Sequence, residues 1–171
     1  MTSVLEPLHP FLTTLGGGAA TLLGLLFVSV SINVRRIVEH EDTKELARQT
    51  FVSFVSVLLY ALYALLPQPL WQLGIEMAAT SLVLIVQGAP RFLRSFRRER
   101  SHLTRRAQVL RFGLGLFLQA AALAIAIDFL VGDLRGASWL IAVELSLLAG
   151  AARNSWELLV ELGNSPRNPS A

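Results

Sequence analysis

Three carboxylates stand inside stretches that are otherwise apolar: Glu76 in LWQLGIEMAATSLVLIVQGA, Asp128 near the end of the run from Val109 to Val131, and Glu144 in ASWLIAVELSLLAGAA. An ionised carboxylate in an apolar medium costs several kcal/mol unless it faces water, pairs with a base or takes up a proton. Acids so placed must point into a bundle rather than at lipid, and together they predict a cation or proton site. The competing interpretation has Asp128 at a water interface near Arg135, with Glu76 and Glu144 as hydrogen-bonded or protonated packing groups.

Two further constellations carry polar chemistry. Asn33, Arg35 and Arg36 close the first apolar run, while Arg153, Asn154, Glu157 and Glu161 close the last. Glutamates four apart near a helix C-terminus repel each other and the helix dipole, so they require cationic partners. Arg153, four residues before Glu157, is one. Arg35 or Arg36 is another if the first and last helices are neighbours, and the group is expected to form a structural clasp. The segment from Arg91 to Arg111 holds eight arginines opposed by Glu99 alone. Arg94, Arg97, Arg98, Arg105 and Arg106 are placed to bind anionic lipid phosphates, with Phe92, Leu93 and Phe96 between them in the headgroup layer. Arginines flanking membrane spans follow from topology, so the run does not point to nucleic acid.

Enzyme signatures are missing. There is no HExxH, GxSxG, phosphate loop or dinucleotide-binding glycine fingerprint. The chain has no cysteine, which removes disulfides, thiolate catalysis and cysteine-based metal sites. His40 beside Glu41 and Asp42 lacks a second histidine at a workable spacing, so neither a metal site nor any cofactor is expected.

The elements that must position these residues are membrane helices. Leu12 to Val34 contains 23 residues with no ionisable side chain. At 1.5 Å per residue they extend roughly 34 Å, enough for a ~30 Å hydrocarbon core. Within this run Gly16, Ala20 and Gly24 recur every four residues, with Gly17 and Thr21 alongside, and predict a flat face for close helix packing. Further spans are predicted over about 50–66, 70–89, 109–131 and 137–162. Pro67 and Pro69 make a tight turn, Pro90 marks a break or kink, and a disordered polar tail covers 164–171. The 171 residues, 53% hydrophobic and 16% charged, leave room for one membrane domain. Alternating the loops puts fourteen Lys and Arg on one side and only Arg135 on the other. By the positive-inside rule the N-terminus lies outside and the C-terminus in the cytoplasm, which places all three acids in the outer half.

TLLGLLFVSVSINVRRI in the first span and RNSWELLVELG in the last resemble a poorly characterised family of small bacterial multi-pass membrane proteins, some labelled "modulator of FtsH protease". The resemblance implies that Ser31, Asn33, Asn154, Trp156 and Glu157 belong to a family pattern, and that a membrane-anchored ATP-dependent protease is a partner. The fold expected is therefore an all-α integral membrane bundle of about five helices in a bacterial inner membrane. The function expected is a non-enzymatic interaction or regulatory subunit, self-associating through its small-residue face. The alternative is an ion channel or transporter formed by an oligomer, with an outer acidic site. Single cysteines introduced between residues 91 and 111 should react with an impermeant thiol reagent only from the cytoplasmic side; labelling from outside the cell would invert the topology.

Overall fold

A computed structural model describes residues 6–97 and 105–164. After a 3₁₀ turn at Glu6–Leu8, six helices follow: α1 (His9–Ile32), α2 (Val34–Glu39), α3 (Glu41–Leu65), α4 (Leu70–Arg97), α5 (Arg105–Leu130) and α6 (Gly136–Asn164). Five of them, all but α2, are long and apolar enough to cross a bilayer. Arg98 to Thr104 and the tail from Ser165, expected to be disordered, lie outside the described residues.

Local chemistry sets the boundaries. Pro10 stands in the first turn of α1, where its missing N–H would have no helical partner anyway. Asn33 ends α1: its backbone N–H reaches the Ser29 and Val30 carbonyls at 3.2 Å, and its side-chain Nδ2 donates to Ser29 O at 3.0 Å. The second span begins nine residues before the predicted residue 50, because EDTKELARQ continues the helical spacing of buried Leu46, Ala47, Thr50, Phe54, Val57 and Ala61. Glu41 and Asp42 in the first turn of α3 also favour the helix dipole. Leu66 is extended (ψ 137°), as a residue before proline must be, and ends α3.

Pro90 does not break its helix. α4 continues through it to Arg97. Proline removes one backbone donor, and membrane helices tolerate this where local adjustment or neighbouring groups satisfy the freed carbonyl. Gly132, with φ +80°, supplies the left-handed residue in the turn after α5. α6 has 29 residues, a length of about 44 Å at 1.5 Å per residue, so it projects beyond a ~30 Å hydrocarbon layer.

The long helices alternate in direction. One end of the bundle carries Pro67 and Gly132 and is termed the proline end. The other carries α2, the end of α4 and the start of α5, and is termed the basic end. α3 packs against both α1 and α6, α6 against α5, and α5 against α4; α3 touches α4 only slightly. The larger core joins Leu12, Leu15 and Ala19 of α1 to Val57 and Tyr60 of α3, Leu73 and Met77 of α4, Ala122 and Phe129 of α5, and Leu140 and Leu147 of α6. A second core at the basic end gathers Leu26, Ile37, Leu46, Phe54, Ala151 and Leu158. Large apolar side chains including Phe27, Val86 and Phe117 face outward, as a lipid-facing surface requires. Exposed Trp71 and Trp139 sit near the proline end and Trp156 near the basic end, the positions of interfacial aromatic belts.

The small-residue face of α1 is not where the helices of this chain meet most closely. Gly16 is buried, and a Cβ added there would lie 3.2 Å from the Cβ of Ala61. Gly17, Ala20, Thr21 and Gly24 are exposed, and a Cβ on Gly17 or Gly24 would meet nothing within 4 Å. The reason is rotational: Leu12, Leu15, Gly16, Ala19 and Leu26 bury more apolar surface than the stripe offers, so they turn inward. The closest approach is between α4 and α5. A Cβ on Gly74 would stand 2.8 Å from the Ala126 carbonyl oxygen and 3.0 Å from the Leu130 backbone nitrogen. Backbone cannot give way as a flexible side chain can. Gly74→Ala should therefore destabilise the chain by about 1–3 kcal/mol, seen as a lower melting temperature in detergent. Gly24→Ala should melt like wild type, and equal melting of the two variants would contradict this packing.

Candidate functional site

Four buried polar side chains from three helices form one hydrogen-bonded network. Ser56 and Tyr60 are four residues apart on α3 and share its inward face. Ser81 comes from α4 and Gln119 from α5. Tyr60 Oη donates to Gln119 Oε1 at 2.6 Å and lies 2.8 Å from Ser81 Oγ, while Gln119 Nε2 donates to Ser56 Oγ at 2.9 Å. Ser56 Oγ in turn donates to the Val52 carbonyl at 2.8 Å. Since Tyr60 spends its one proton on Gln119, Ser81 is the donor in the remaining bond. Tyr60, Ser56 and Ser81 are fully buried, so no bulk water substitutes for these partners.

Glu144 occupies the inward face of α6, with Leu140, Val143 and Leu147 as core neighbours on the same helix. Its side chain is 0% exposed, and neither carboxylate oxygen has a hydrogen-bond partner. Eight residues of α6 separate it from Gly136, a depth of about 12 Å from the proline end. A carboxyl group held this way needs a proton, a cation or a polar ligand to offset its desolvation.

A cleft of about 80 Å³ opens between α3, α4 and α5 toward the basic end. It exists because α3 and α4 are tied by the short proline turn at one end and barely touch elsewhere. Glu45 and Arg48, an ion pair at 2.6 Å, lie at its basic end, with Ser53 and Gln49 further along. Gln119 and Leu147 also line it, so the cleft touches the hydrogen-bonded network and a residue one helical turn from Glu144.

The three acids predicted from sequence are not brought into one hydrogen-bonded site. Glu76 is half-buried and tied to the turn: Gln68 Nε2 donates to its Oε2 at 2.8 Å and also to the Tyr63 carbonyl at 2.9 Å. Asp128 sits at the end of α5, where a Cβ on Gly136 would come within 3.3 Å of its Oδ2. Arg135 does not pair with it but with Asp133, at 3.6 Å. Only Glu144 reaches the core. Among the described residues no three His, Asp or Glu side chains are grouped so as to hold a metal ion.

Of the predicted clasp, the Arg153–Glu157 pair is present and Arg36 reaches across to the last helix. Arg36 Nη1 crosses to α6 and donates to the backbone carbonyl of Leu162 at 3.2 Å, a cation on the negative end of that helix. Arg35 is exposed, Asn33 caps its own helix and Asn154 is half-buried. Arg153 Nε pairs with Glu157 Oε1 at 3.1 Å, and Glu161 Oε2 accepts from Thr43 of α3 at 3.3 Å. Of the arginines assigned to lipid, Arg94 and Arg97 fall in the last turns of α4, and Arg105 and Arg106 open α5. Arg98, with His102, lies outside the described residues.

Sequence reasoning passed over Tyr60, Ser56, Ser81 and Gln119. The available signal was the i, i+4 spacing of Ser56 and Tyr60 within an apolar run, but their partners lie 21 to 63 residues away. Comparison of the chain with protein-family models, with curated proteins and with solved structures finds no match.

Proposed function

We propose that this chain is a five-span protein of a bacterial inner membrane, N-terminus outside and C-terminus in the cytoplasm, whose core acid Glu144 takes up and releases a proton or small cation during transport. The observation that carries this reading is the complete burial of a carboxyl group with neither oxygen hydrogen-bonded. Structural acids in helical bundles are paired, as Glu76 is with Gln68. An acid without such a partner destabilises the resting bundle, and ionisable groups retained inside a membrane commonly mark ion or proton pathways. The outer site expected of three acids contracts to this one residue.

A second reading, a non-enzymatic interaction subunit, rests on a separate observation. Gly17, Ala20, Thr21 and Gly24 leave a smooth stripe on the outside of α1 that no other part of the described chain covers. Small residues on an outer helix face allow a second helix to approach closely, and a further copy of the chain is the simplest occupant. The family resemblance of the first and last spans adds a membrane-anchored protease as a candidate partner. Arginines of the Arg91–Arg111 segment would meanwhile hold anionic lipid headgroups on the cytoplasmic face.

Reconstitution in liposomes separates the two readings. A pH or cation gradient should drive flux through wild-type protein, Glu144→Gln should abolish most of it, and Glu76→Gln should retain it because Gln68 already satisfies that group. Absence of wild-type flux, or full flux in Glu144→Gln, would eliminate the transport reading. For the second reading, Ala20→Leu combined with Gly24→Leu should leave melting unchanged while reducing the cross-linked oligomer in membranes; an unaltered oligomer would remove α1 from any interface.

A further inference from the structure

The cleft between α3, α4 and α5 joins an apolar wall to a cationic rim. Leu84, Gly88 and Phe92 stand four residues apart on α4 and make its wall apolar, whereas Glu45, Gln49 and Ser53 stand at the same interval on α3. α3 and α4 barely touch, and Gln87 on the α4 wall is exposed and shares a helix face with exposed Val83. The cleft thus opens sideways onto the lipid-facing surface as well as toward the basic end. From Glu45 to Ser53 it follows α3 for about 12 Å at 1.5 Å per residue. Its volume is about 80 Å³. At the ~10–15 Å³ that one water needs, this is room for roughly five to eight groups of that size, and a methylene is such a group. A file of waters would want about two to four polar partners for each molecule. Gln119 has already given its oxygen to Tyr60 and an amide hydrogen to Ser56, and Val52, Leu84, Leu116 and Leu147 offer none. A hydrocarbon chain asks for no such partners.

At the rim, Arg48 donates Nε and Nη2 to Glu45 at 3.2 and 2.6 Å, which leaves its Nη1 without a partner among the described residues. Guanidinium groups bind phosphate oxygens well, through charge-assisted N–H bonds. The helices bring further arginine positions to the same end: Arg91 precedes Phe92 of the α4 wall, and Arg111 stands one turn before Gly115 of the α5 wall. Across the whole segment between them, eight arginines are opposed by Glu99 alone. From this juxtaposition we infer that the cleft is a binding site for one anionic phospholipid of the leaflet at the basic end. Its phosphate takes the Nη1 group of Arg48, and the upper part of one acyl chain lies between α3 and α4. The inference rests on the reading that arginines of the 91–111 segment meet anionic headgroups, and adds to that general attraction one defined site. The chain only exchanges lipid neighbours for equally apolar side chains, so selectivity comes from the phosphate and the charge around it. The bound lipid fills the gap that α3 and α4 leave and so holds the two helices together.

The test is the melting temperature of the full chain in detergent micelles as phosphatidylglycerol, or phosphatidylcholine with the same chains, is added; a ligand of the folded state raises it. Wild type should respond to phosphatidylglycerol at about a tenth of the phosphatidylcholine needed, and glycerol phosphate, which has no chains, should not compete. Arg48→Gln should require about tenfold more phosphatidylglycerol, the loss of one charge-assisted hydrogen bond. Glu45→Gln removes the opposing charge from Arg48 and should bind at least as tightly as wild type. Ser53→Cys gives an arm that leaves folding undisturbed: the chain has no other cysteine, so a bulky thiol reagent added afterwards fills the cleft alone and should abolish the preference. Undiminished binding by Arg48→Gln or by the blocked protein, or equal weakening by both charge variants, would overturn the site while leaving the arginine segment as a headgroup contact. Competition by glycerol phosphate would make the ligand a free phosphate and overturn the chain-binding cleft. A wild-type response with no preference for phosphatidylglycerol would overturn the site and the headgroup reading together.

Discussion

The bundle depends on finding partners for polar groups where water cannot serve, and the Tyr60 hydroxyl is where that constraint is met. In an apolar interior an unsatisfied hydroxyl or amide costs on the order of 2–7 kcal/mol, and hydrogen bonds are correspondingly directional ties between helices. Tyr60 of α3 holds Ser81 of α4 and Gln119 of α5 at once, and Gln119 returns to Ser56 of α3. α3 and α4 make little direct contact, so these side chains do for that pair what close packing does elsewhere. Glu144 is an exception to this constraint: neither of its carboxylate oxygens has a hydrogen-bond partner.

Packing divides the bundle along its length. At the proline end Gly74 allows α4 to press against the backbone of α5, the Pro67–Pro69 turn holds α3 to α4, and Gln68 locks that turn to Glu76. At the basic end the helices are held differently. Arg36 crosses to the carbonyl end of α6, Thr43 reaches Glu161, and a second apolar core ties α1, α2, α3 and α6 while leaving out α4. The cleft is the consequence of these unequal constraints. Where the small residues of α4 and α5 permit close approach the interior is dry, and where α4 departs from α3 polar side chains line a path inward.

Much of this was legible in the sequence, and the limits have physical causes. Each long apolar run became a helix of spanning length, and the tight turn at Pro67 ended α3 as its chemistry demanded. The boundaries moved where local signals compete with continuity. Residues 41–49 lie before the predicted start of the second span, yet their apolar positions stay in register with α3, and Pro90 disturbs one hydrogen bond without ending α4. The small-residue face of α1 failed as a guide to the closest contact because Gly16–Ala20–Gly24 spacing describes a surface, not what lies against it. The glycine that does meet backbone, Gly74, stands alone in its run.

The sequence by itself determined the all-helical class and the five helices long and apolar enough to cross a bilayer, because hydrophobic length is a property of consecutive residues. It also marked Glu144 as an acid in an apolar setting. It could not say that Glu76 would be satisfied by Gln68 eight residues earlier, that Asp128 would stay at a helix end, or that Glu144 alone would be left without a partner. Those outcomes depend on the rotation of each helix about its axis, and rotation is settled by the summed packing of several helices at once. A residue's chemistry in a bundle is thus set by the neighbours that tertiary structure supplies, and for Glu144 these include no hydrogen-bonding partner.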